Sequence, residues 1–131
     1  MPFTRISLLK GKSPDYLRAV SDALHTALVD TFEVPDADRF QAIHQHEKTE
    51  LIFDAHYMGG PRSDDFILFH ITAGKERNEQ TKNNFYHRLA ELLARDPGIA
   101  PENVMVIIQL TSVADWSFSG GQSFSTMMHR C

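Results

Sequence analysis

The chain has 131 residues, 42% of them hydrophobic and 23% charged, a composition typical of one globular domain, which we place at residues 1–131. The formal net charge of −4, with 13 basic and 17 acidic residues and no run of lysine or arginine, argues against nucleic acid or an anionic membrane surface as a partner. We expect a cytoplasmic protein, because no apolar stretch approaches the roughly 20 residues of a transmembrane helix and the opening PFTRISLL is unlike a signal peptide. The single cysteine, Cys131, has no partner for an internal disulfide.

The chain opens with Met1 followed by Pro2. Because the second residue is small, we expect Met1 to be removed, which leaves Pro2 as the free N-terminus. An N-terminal proline carries a secondary amine whose pKa starts from an α-amino value of roughly 8, so it is suited to transfer protons near neutral pH. Proline is also common at this position without any catalytic role, so Pro2 alone is a weak signal.

The first half of the chain predicts a strand, a helix and a second strand. Strand-forming residues predict a strand over 3–9. Ser13, with a proline and an aspartate after it, has the features of a helix N-cap, and the helix should end before Pro35. A weaker alternation predicts a second strand over 39–45. The apolar stripe of the helix consists of Leu17, Val20, Leu24, Leu28 and Phe32.

The second half repeats this order. A nearly continuous apolar run predicts a strand over 66–71, and Asn78 can cap the helix that follows. Pro97 and Gly98 should end that helix, and a last strand is predicted over 104–108. The stripe of this helix consists of Phe85, Leu89 and either Leu92 or Leu93.

The repetition predicts an α/β fold, a two-layer sandwich built from a duplicated β-α-β unit. The two copies span about 2–46 and 65–118, separated by a turn-rich connector over 58–65 and followed by a tail over 119–131. Right-handed crossovers would place both helices on one face of a four-stranded sheet. The strands look too apolar for the other face to meet water, so we expect the subunits to form a closed ring.

Several charged residues are candidates for chemistry near Pro2. If the first and third strands are antiparallel neighbours, Pro2 lies close to the segment that contains Lys75 and Arg77, two cations suited to bind a substrate carboxylate. Asp38 could orient or deprotonate a water molecule. The alternatives are a solvated charged loop at Lys75 and Arg77, and a surface pair between Asp38 and Arg39.

Two aromatic residues, Trp116 and Phe118, are spaced so that both rings lie on one side of an extended segment. They could wall off a small apolar pocket and desolvate the charges inside it. An anchor in the core or at a subunit contact explains them equally well.

Metal and cofactor chemistry find little support in the sequence. His44 and His46 are spaced to ligate a metal on a strand, but His56 is the only candidate for a third ligand and is remote. There is no phosphate-binding glycine loop, nucleophile elbow or Cys/His nucleophile pair. We therefore predict neither a metal nor a cofactor.

Taken together, these residues resemble the tautomerase superfamily, and within it the malonate semialdehyde decarboxylase-like group. The resemblance covers about 2–118. Its best local matches are the N-terminal proline, the segment 34–41, the pair Phe85-Tyr86 and the segment 114–118. It implies the duplicated β-α-β fold, assembled as a trimer.

The resemblance also implies roles for individual residues. Pro2 matches the central acid/base of the family, and Asp38 matches an aspartate that activates water. Two substrate-binding arginines fall on Lys75 and Arg77, so the first is replaced here by lysine, a point charge that lacks the planar fork of arginine. The aromatic pocket wall falls on Trp116, Phe118 and, less firmly, Phe124.

Three functions follow from the resemblance. The first is a cofactor-independent decarboxylase of small 3-oxo acids of the malonate semialdehyde type. The second is a keto–enol tautomerase acting on a 2-oxo acid such as phenylpyruvate. The third is a non-catalytic trimeric protein that kept the fold and lost the chemistry, as it would if Met1 were retained and the nitrogen of Pro2 stayed an amide. Another group of the superfamily, whose members can lack the proline, shares the residues Arg62-Ser63-Asp64-Asp65 and Ala73-Gly74, but this chain has the proline, which favours activity.

Overall fold

The computed structural model describes residues 1–129 and consists of a four-stranded mixed sheet with two long helices on one face. Cys131 lies outside the described residues. Within residues 1–129, no helix combines the length and apolar character needed to cross a membrane. The elements in chain order are β1 (Pro2–Leu9), α1 (Pro14–Phe32), β2 (Gln41–His46), β3 (Ile67–Ala73), α2 (Glu79–Arg95), β4 (Val104–Leu110) and the short α3 (Phe124–His129).

The sheet topology confirms the predicted duplicated fold. The strand order is β2-β1-β3-β4, with β1 parallel to β2 and β3 parallel to β4. The two halves meet through the antiparallel pair β1 and β3, in which Pro2 lies opposite Ala73. The start of β1 therefore lies at the end of β3, as the sequence predicted for antiparallel neighbours.

The long helix α1 begins where its sequence predicts. The side chain of Ser13 accepts a hydrogen bond from the backbone N–H of Tyr16 at 3.1 Å, and Pro14 occupies the first helical position, where no donor is lost. The C-cap of the helix is Glu33, whose backbone is left-handed (φ 56°) and whose N–H donates a hydrogen bond to the carbonyl of Leu28.

Replacing the capping side chain should destabilise this helix. We expect Ser13→Ala to lower the free energy of unfolding by about 1 kcal/mol, because the N–H of Tyr16 loses its acceptor. Urea denaturation at one fixed protein concentration measures this. Ser119→Ala, at an exposed serine outside the helices, is the matched control and should leave the midpoint unchanged. Equal midpoints for the two variants would contradict the capping role.

The core lies between the helices and the covered face of the sheet. The ring of Phe32 on α1 lies 4.9 Å from the ring of Phe85 on α2, measured between centroids, which joins the two helices. On α2, Leu93 is fully buried and Leu92 only partly, which settles the alternative that the sequence left open. Fully buried residues of this core include Ile6, Leu24, Ile67, Phe69, Ile71, Phe85, Leu89 and Leu93.

The other face of the sheet is less apolar than the sequence indicated. Buried residues of β3 alternate with partly exposed ones, so its largest apolar side chains face the helices. On the open face, Nη1 of Arg5 lies 3.1 Å from Nε2 of His44. On the same face, Nε2 of His70 lies 3.2 Å from Oε1 of Gln109. Our expectation that the strands are too apolar for water was therefore wrong in part, because the alternation of β-strands sends the polar residues to this side.

Element boundaries differ modestly from the predicted ones. β2 begins at Gln41 rather than at residue 39, because its ladder with β1 starts at the pair Thr4 and Gln41. β3 and β4 run on to Ala73 and Leu110, two residues beyond their apolar runs. The sequence also missed α3 in the tail, a single short turn of helix without an apolar stripe of its own.

Candidate active site

The N-terminal edge of β1 and the end of β3 form one close junction. The backbone N–H of Gly74 donates to the carbonyl of Met1 at 3.1 Å, and Pro2 is buried opposite Ala73. A Cβ at Gly74 would meet the end of the Met1 side chain and lie 3.0 Å from Nε1 of Trp116, so both side chains lie close to the backbone of Gly74. The indole of Trp116 therefore borders the N-terminus.

The carboxylate of Asp38 faces the N-terminal amine. Its Oδ2 lies 3.1 Å from the Met1 nitrogen, and its side chain is only 16% exposed. Its Oδ1 is buried and has no hydrogen-bond partner within residues 1–129. A buried acceptor without a partner is costly, so this oxygen is available to a ligand or to water.

The turn that carries Asp38 is fixed by α1. The imidazole Nε2 of His25, which is buried on that helix, lies 2.8 Å from the carbonyl oxygen of Asp36. Arg39 pairs with Asp22 at 2.5 Å on the same helix. Arg39 is thus engaged elsewhere, and the carboxylate of Asp38 pairs with the N-terminus instead.

The two predicted cations have different surroundings. Lys75 follows Gly74, is exposed, and its ammonium makes no hydrogen bond or ion pair with the part of the chain described here. The guanidinium of Arg77 lies over the ring of Phe32 at 4.4 Å and donates to the carbonyls of Lys75 (3.0 Å) and Phe32 (3.2 Å). Burial lowers the pKa of Arg77 from its usual value. Both cations line a cavity of about 70 Å³ beside Ala73, and in this chain Arg77 faces α1 rather than Asp38.

The aromatic residues form one cluster near Gly74. The rings of Trp116 and Phe118 stack at 5.7 Å and 23°, which confirms the prediction that both lie on one side of the segment. The ring centroid of Phe118 also lies 5.7 Å from the centroids of Phe124 and Phe40. We call these four residues the aromatic wall. Phe40 was missed as a member, although its position two residues after Asp38 was a usable signal.

Sequence reasoning missed two supporting residues. His25 holds the turn before Asp38, and Thr111 accepts a hydrogen bond from Nε1 of Trp116 at 2.7 Å. Neither has a sequence signal, because a histidine within a helix and a threonine after a strand occur in many structures without such contacts.

The histidines that could have held a metal are dispersed. His44 lies beside Arg5 on the open face, and His56 lies in the loop between β2 and β3, before the connector. Within residues 1–129, no three histidine, cysteine or acidic side chains come together as metal ligands would.

A larger cleft, about 910 Å³, lies at the other end of β3 and β4. It is bordered by Phe66, Val104 and the connector, and includes none of the predicted site residues. Its arginine, Arg62, is engaged by the carbonyls of Asp54 and Tyr57. We therefore place the candidate site at the N-terminus, where an amine, a carboxylate, an unpaired cation and an aromatic wall lie together. Such a set can bind a small carboxylic acid and move protons on it.

Comparisons with known proteins agree with this fold. Two family models described as tautomerase enzymes match residues 38–119 and residues 2–61. The chain is 32% identical to the probable tautomerase YusQ of Bacillus subtilis, over 94% of this chain and 97% of that protein. It is 34% identical to the probable tautomerase YrdN of the same organism, over 94% of this chain and 95% of that protein.

Solved structures are similar over nearly the whole length. A malonate semialdehyde decarboxylase matches with a TM-score of 0.89 and 33% identity, covering 97% of this chain and 98% of that one. FG41 malonate semialdehyde decarboxylase, inhibited by 3-bromopropiolate, matches with a TM-score of 0.89 and 30% identity, covering 97% and 96%. A symmetric trimer of fused 4-OT, at 16% identity and a TM-score of 0.78 over 95% of this chain and 98% of that one, shares the fold alone. The chain belongs to the tautomerase superfamily.

Proposed function

We propose that this protein is a decarboxylase of small 3-oxo acids of the malonate semialdehyde type. The observation that carries the proposal is the approach of the Asp38 carboxylate to within 3.1 Å of the Met1 nitrogen, near the indole of Trp116. Pro2 is the next residue, so removal of Met1 would leave its amine close to this carboxylate. An acid/base amine next to a carboxylate with a free buried oxygen is suited to activate a water molecule on a bound carbonyl compound. The similarity to two malonate semialdehyde decarboxylases supports the same substrate class.

Each residue has a role in this reaction. After removal of Met1, the protonated amine of Pro2 polarises the aldehyde oxygen, and Lys75 and Arg77 bind the carboxylate of the substrate. Asp38 takes a proton from the water that attacks the carbonyl carbon, which gives the hydrate. As carbon dioxide leaves, the electron pair of the breaking C–C bond forms a C=C bond and expels one hydroxyl group, which departs as water with the proton that Asp38 took. The enol of acetaldehyde that remains then takes a proton at carbon. The aromatic wall excludes bulk water, which strengthens the interactions between these charges.

A second route uses the same residues. Neutral Pro2 could attack the aldehyde and lose water to form an iminium ion, which accepts the electron pair of the breaking C–C bond as carbon dioxide leaves. The enamine that results takes a proton at carbon, and water then releases acetaldehyde and free Pro2. Borohydride would reduce that iminium ion to a stable adduct on Pro2. An adduct located by mass spectrometry would favour this route over hydration.

The replacement of arginine by lysine at position 75 bears on substrate binding. The ammonium of Lys75 is exposed and unpaired in the described part of the chain, so it is free to bind a carboxylate, though not in bidentate fashion. Arg77 would have to leave the carbonyls of Phe32 and Lys75 to reach the same ligand.

We also propose that the protein is a homotrimer. The open face of the sheet carries the half-exposed apolar side chains of Met105 and Ile107, which a partner subunit would cover. The fused 4-OT protein of the same fold is a symmetric trimer.

A 2-oxo acid keto–enol tautomerase is the second candidate function. The names of the two Bacillus subtilis relatives favour it. In that reaction a neutral Pro2 carries a proton between carbon and oxygen, whereas hydration requires a cationic Pro2. The charge state of the Pro2 amine near neutral pH therefore distinguishes the two functions.

Proton NMR of malonate semialdehyde turnover tests the proposal. We expect protein that starts at Pro2 to form acetaldehyde, and Pro2→Ala to be slower by about 10²-fold, because it replaces the rigid secondary amine by a primary one. Pro14→Ala, at the start of α1, is the matched control and should keep full activity. No turnover by protein whose intact mass shows Pro2 at its start would overturn the assignment.

A further inference from the structure

The side-chain hydroxyl of Thr111 links the aromatic wall to the backbone of β3. Thr111 follows β4 directly, and its backbone N–H donates to the carbonyl of Ala73 at 2.8 Å. Its hydroxyl donates to the same carbonyl at 3.0 Å and accepts the indole N–H of Trp116 at 2.7 Å. The carbonyl of Ala73 immediately precedes Gly74 and Lys75, so the indole is tied to the strand end that carries the candidate site.

This bond occupies the only polar atom of the Trp116 side chain. The indole N–H is a donor with no acceptor function, and a partly buried one is costly without a partner. While it donates to Thr111, Trp116 offers a ligand only its apolar ring. Recognition of polar groups is then left to the charged residues of the site: Pro2, Asp38, Lys75 and Arg77.

Other contacts fix the backbone around Trp116. Asp115 and Ser112 form a reciprocal capping box in the turn before it. After it, the backbone N–H of Phe124 donates to the carbonyl of Trp116 at 2.8 Å. Because the backbone is held independently on both sides, the Thr111 hydroxyl acts mainly on the orientation of the ring.

We propose that Thr111 is a positioning residue that sets substrate affinity by orienting Trp116 as an apolar wall beside Gly74. The inference rests on the proposed function for its effect on catalysis, whereas its structural part stands without any activity. Without the hydroxyl, the ring loses its anchor and its N–H turns toward the pocket or the solvent.

The fluorescence of the protein tests the structural part directly, because Trp116 is the only tryptophan. We expect Thr111→Val, which keeps the shape but removes the hydroxyl, to shift the emission maximum and increase quenching by acrylamide. Thr111→Ser keeps the hydroxyl and should restore native fluorescence. Thr31→Val is the matched control, since Thr31 donates to the carbonyl of Ala27 within α1 and should leave the emission unchanged.

Steady-state kinetics with malonate semialdehyde test the consequence. We expect Thr111→Val to raise KM about five- to tenfold, which corresponds to the net free energy of about one hydrogen bond. The value of kcat should change less than about twofold. The pH profile should keep its shape, because no titrating group is altered. In Trp116→Phe, which lacks the indole N–H, adding Thr111→Val should change KM no further.

Each outcome decides the proposal. Native fluorescence in Thr111→Val would overturn the positioning role, and so would a full additional KM increase in the double variant. A kcat loss with unchanged KM would assign Thr111 to the chemical step and also overturn it. If the native protein turns over no oxo acid, the proposed function fails, but the fluorescence contrast between valine and serine still tests whether Thr111 orients the ring. If Thr111→Val does not fold, Thr111→Ser and Trp116→Phe carry the kinetic comparison.

Discussion

Asp38→Asn should lower the rate of malonate semialdehyde decarboxylation by about 10³-fold, within the range expected when a general base is removed. The amide keeps the size of the side chain, but it has no charge to attract the amine at the N-terminus and cannot take a proton from water. In the chain that carries Met1, the carboxylate of Asp38 lies 3.1 Å from that amine. The loss should appear in kcat, because carboxylate binding is assigned to Lys75 and Arg77. NMR of acetaldehyde formation measures it.

The same turn provides a matched control. Asp36 lies two residues earlier and its side chain is 98% exposed. Its backbone carbonyl makes the short contact with Nε2 of His25 at 2.8 Å, while its Oδ1 lies 3.5 Å from the same nitrogen, so an asparagine keeps the main contact. Asp36→Asn should therefore keep nearly full activity. Equal losses in both variants would mean that the turn, not the Asp38 carboxylate, is what matters. Retention of tautomerisation by Asp38→Asn, together with loss of decarboxylation, would separate the two candidate functions.

Most of the fold was predictable because its signals are local. Ser13 and Asn78 cap their helices as expected, since each supplies a side-chain acceptor for the first turn. The adjacency of β1 and β3 needed a further assumption, the antiparallel pairing that the structure shows between Pro2 and Ala73. The helix α3 could not be predicted, because a segment this short depends on contacts with the rest of the chain.

The candidate site was predictable in part. The resemblance to the tautomerase superfamily assigned Pro2, Asp38 and Trp116 to one site. In the structure, the pairing of β1 with β3 and the turn after α1 bring these segments close together. The sequence could not show that Arg77 turns to Phe32, because the free carbonyls at the end of α1 attract its guanidinium only once the helix is packed. Thr111 was missed for a similar reason, since its role depends on an indole five residues away.

Protein that retains Met1 should be inactive, with a rate lower by at least about 10³-fold, and removal of Met1 should activate it. In the chain that begins at Met1, the nitrogen of Pro2 is part of a peptide bond and has neither a basic lone pair nor a proton to donate. The Met1 amine is paired with Asp38 at 3.1 Å, and the Met1 side chain lies against Gly74, beside the indole of Trp116. Met1 therefore blocks both the acid/base group and the space next to it.

Treatment of the Met1-bearing protein with methionine aminopeptidase tests this prediction. Intact mass spectrometry gives the fraction of chains that start at Pro2, and decarboxylase activity should rise in proportion to that fraction. Processed Pro2→Ala, which also exposes a free amine, should recover only the activity of a primary amine at this position. Full activity before processing would remove Pro2 from the mechanism, since an amide nitrogen cannot transfer the proton that the reaction requires.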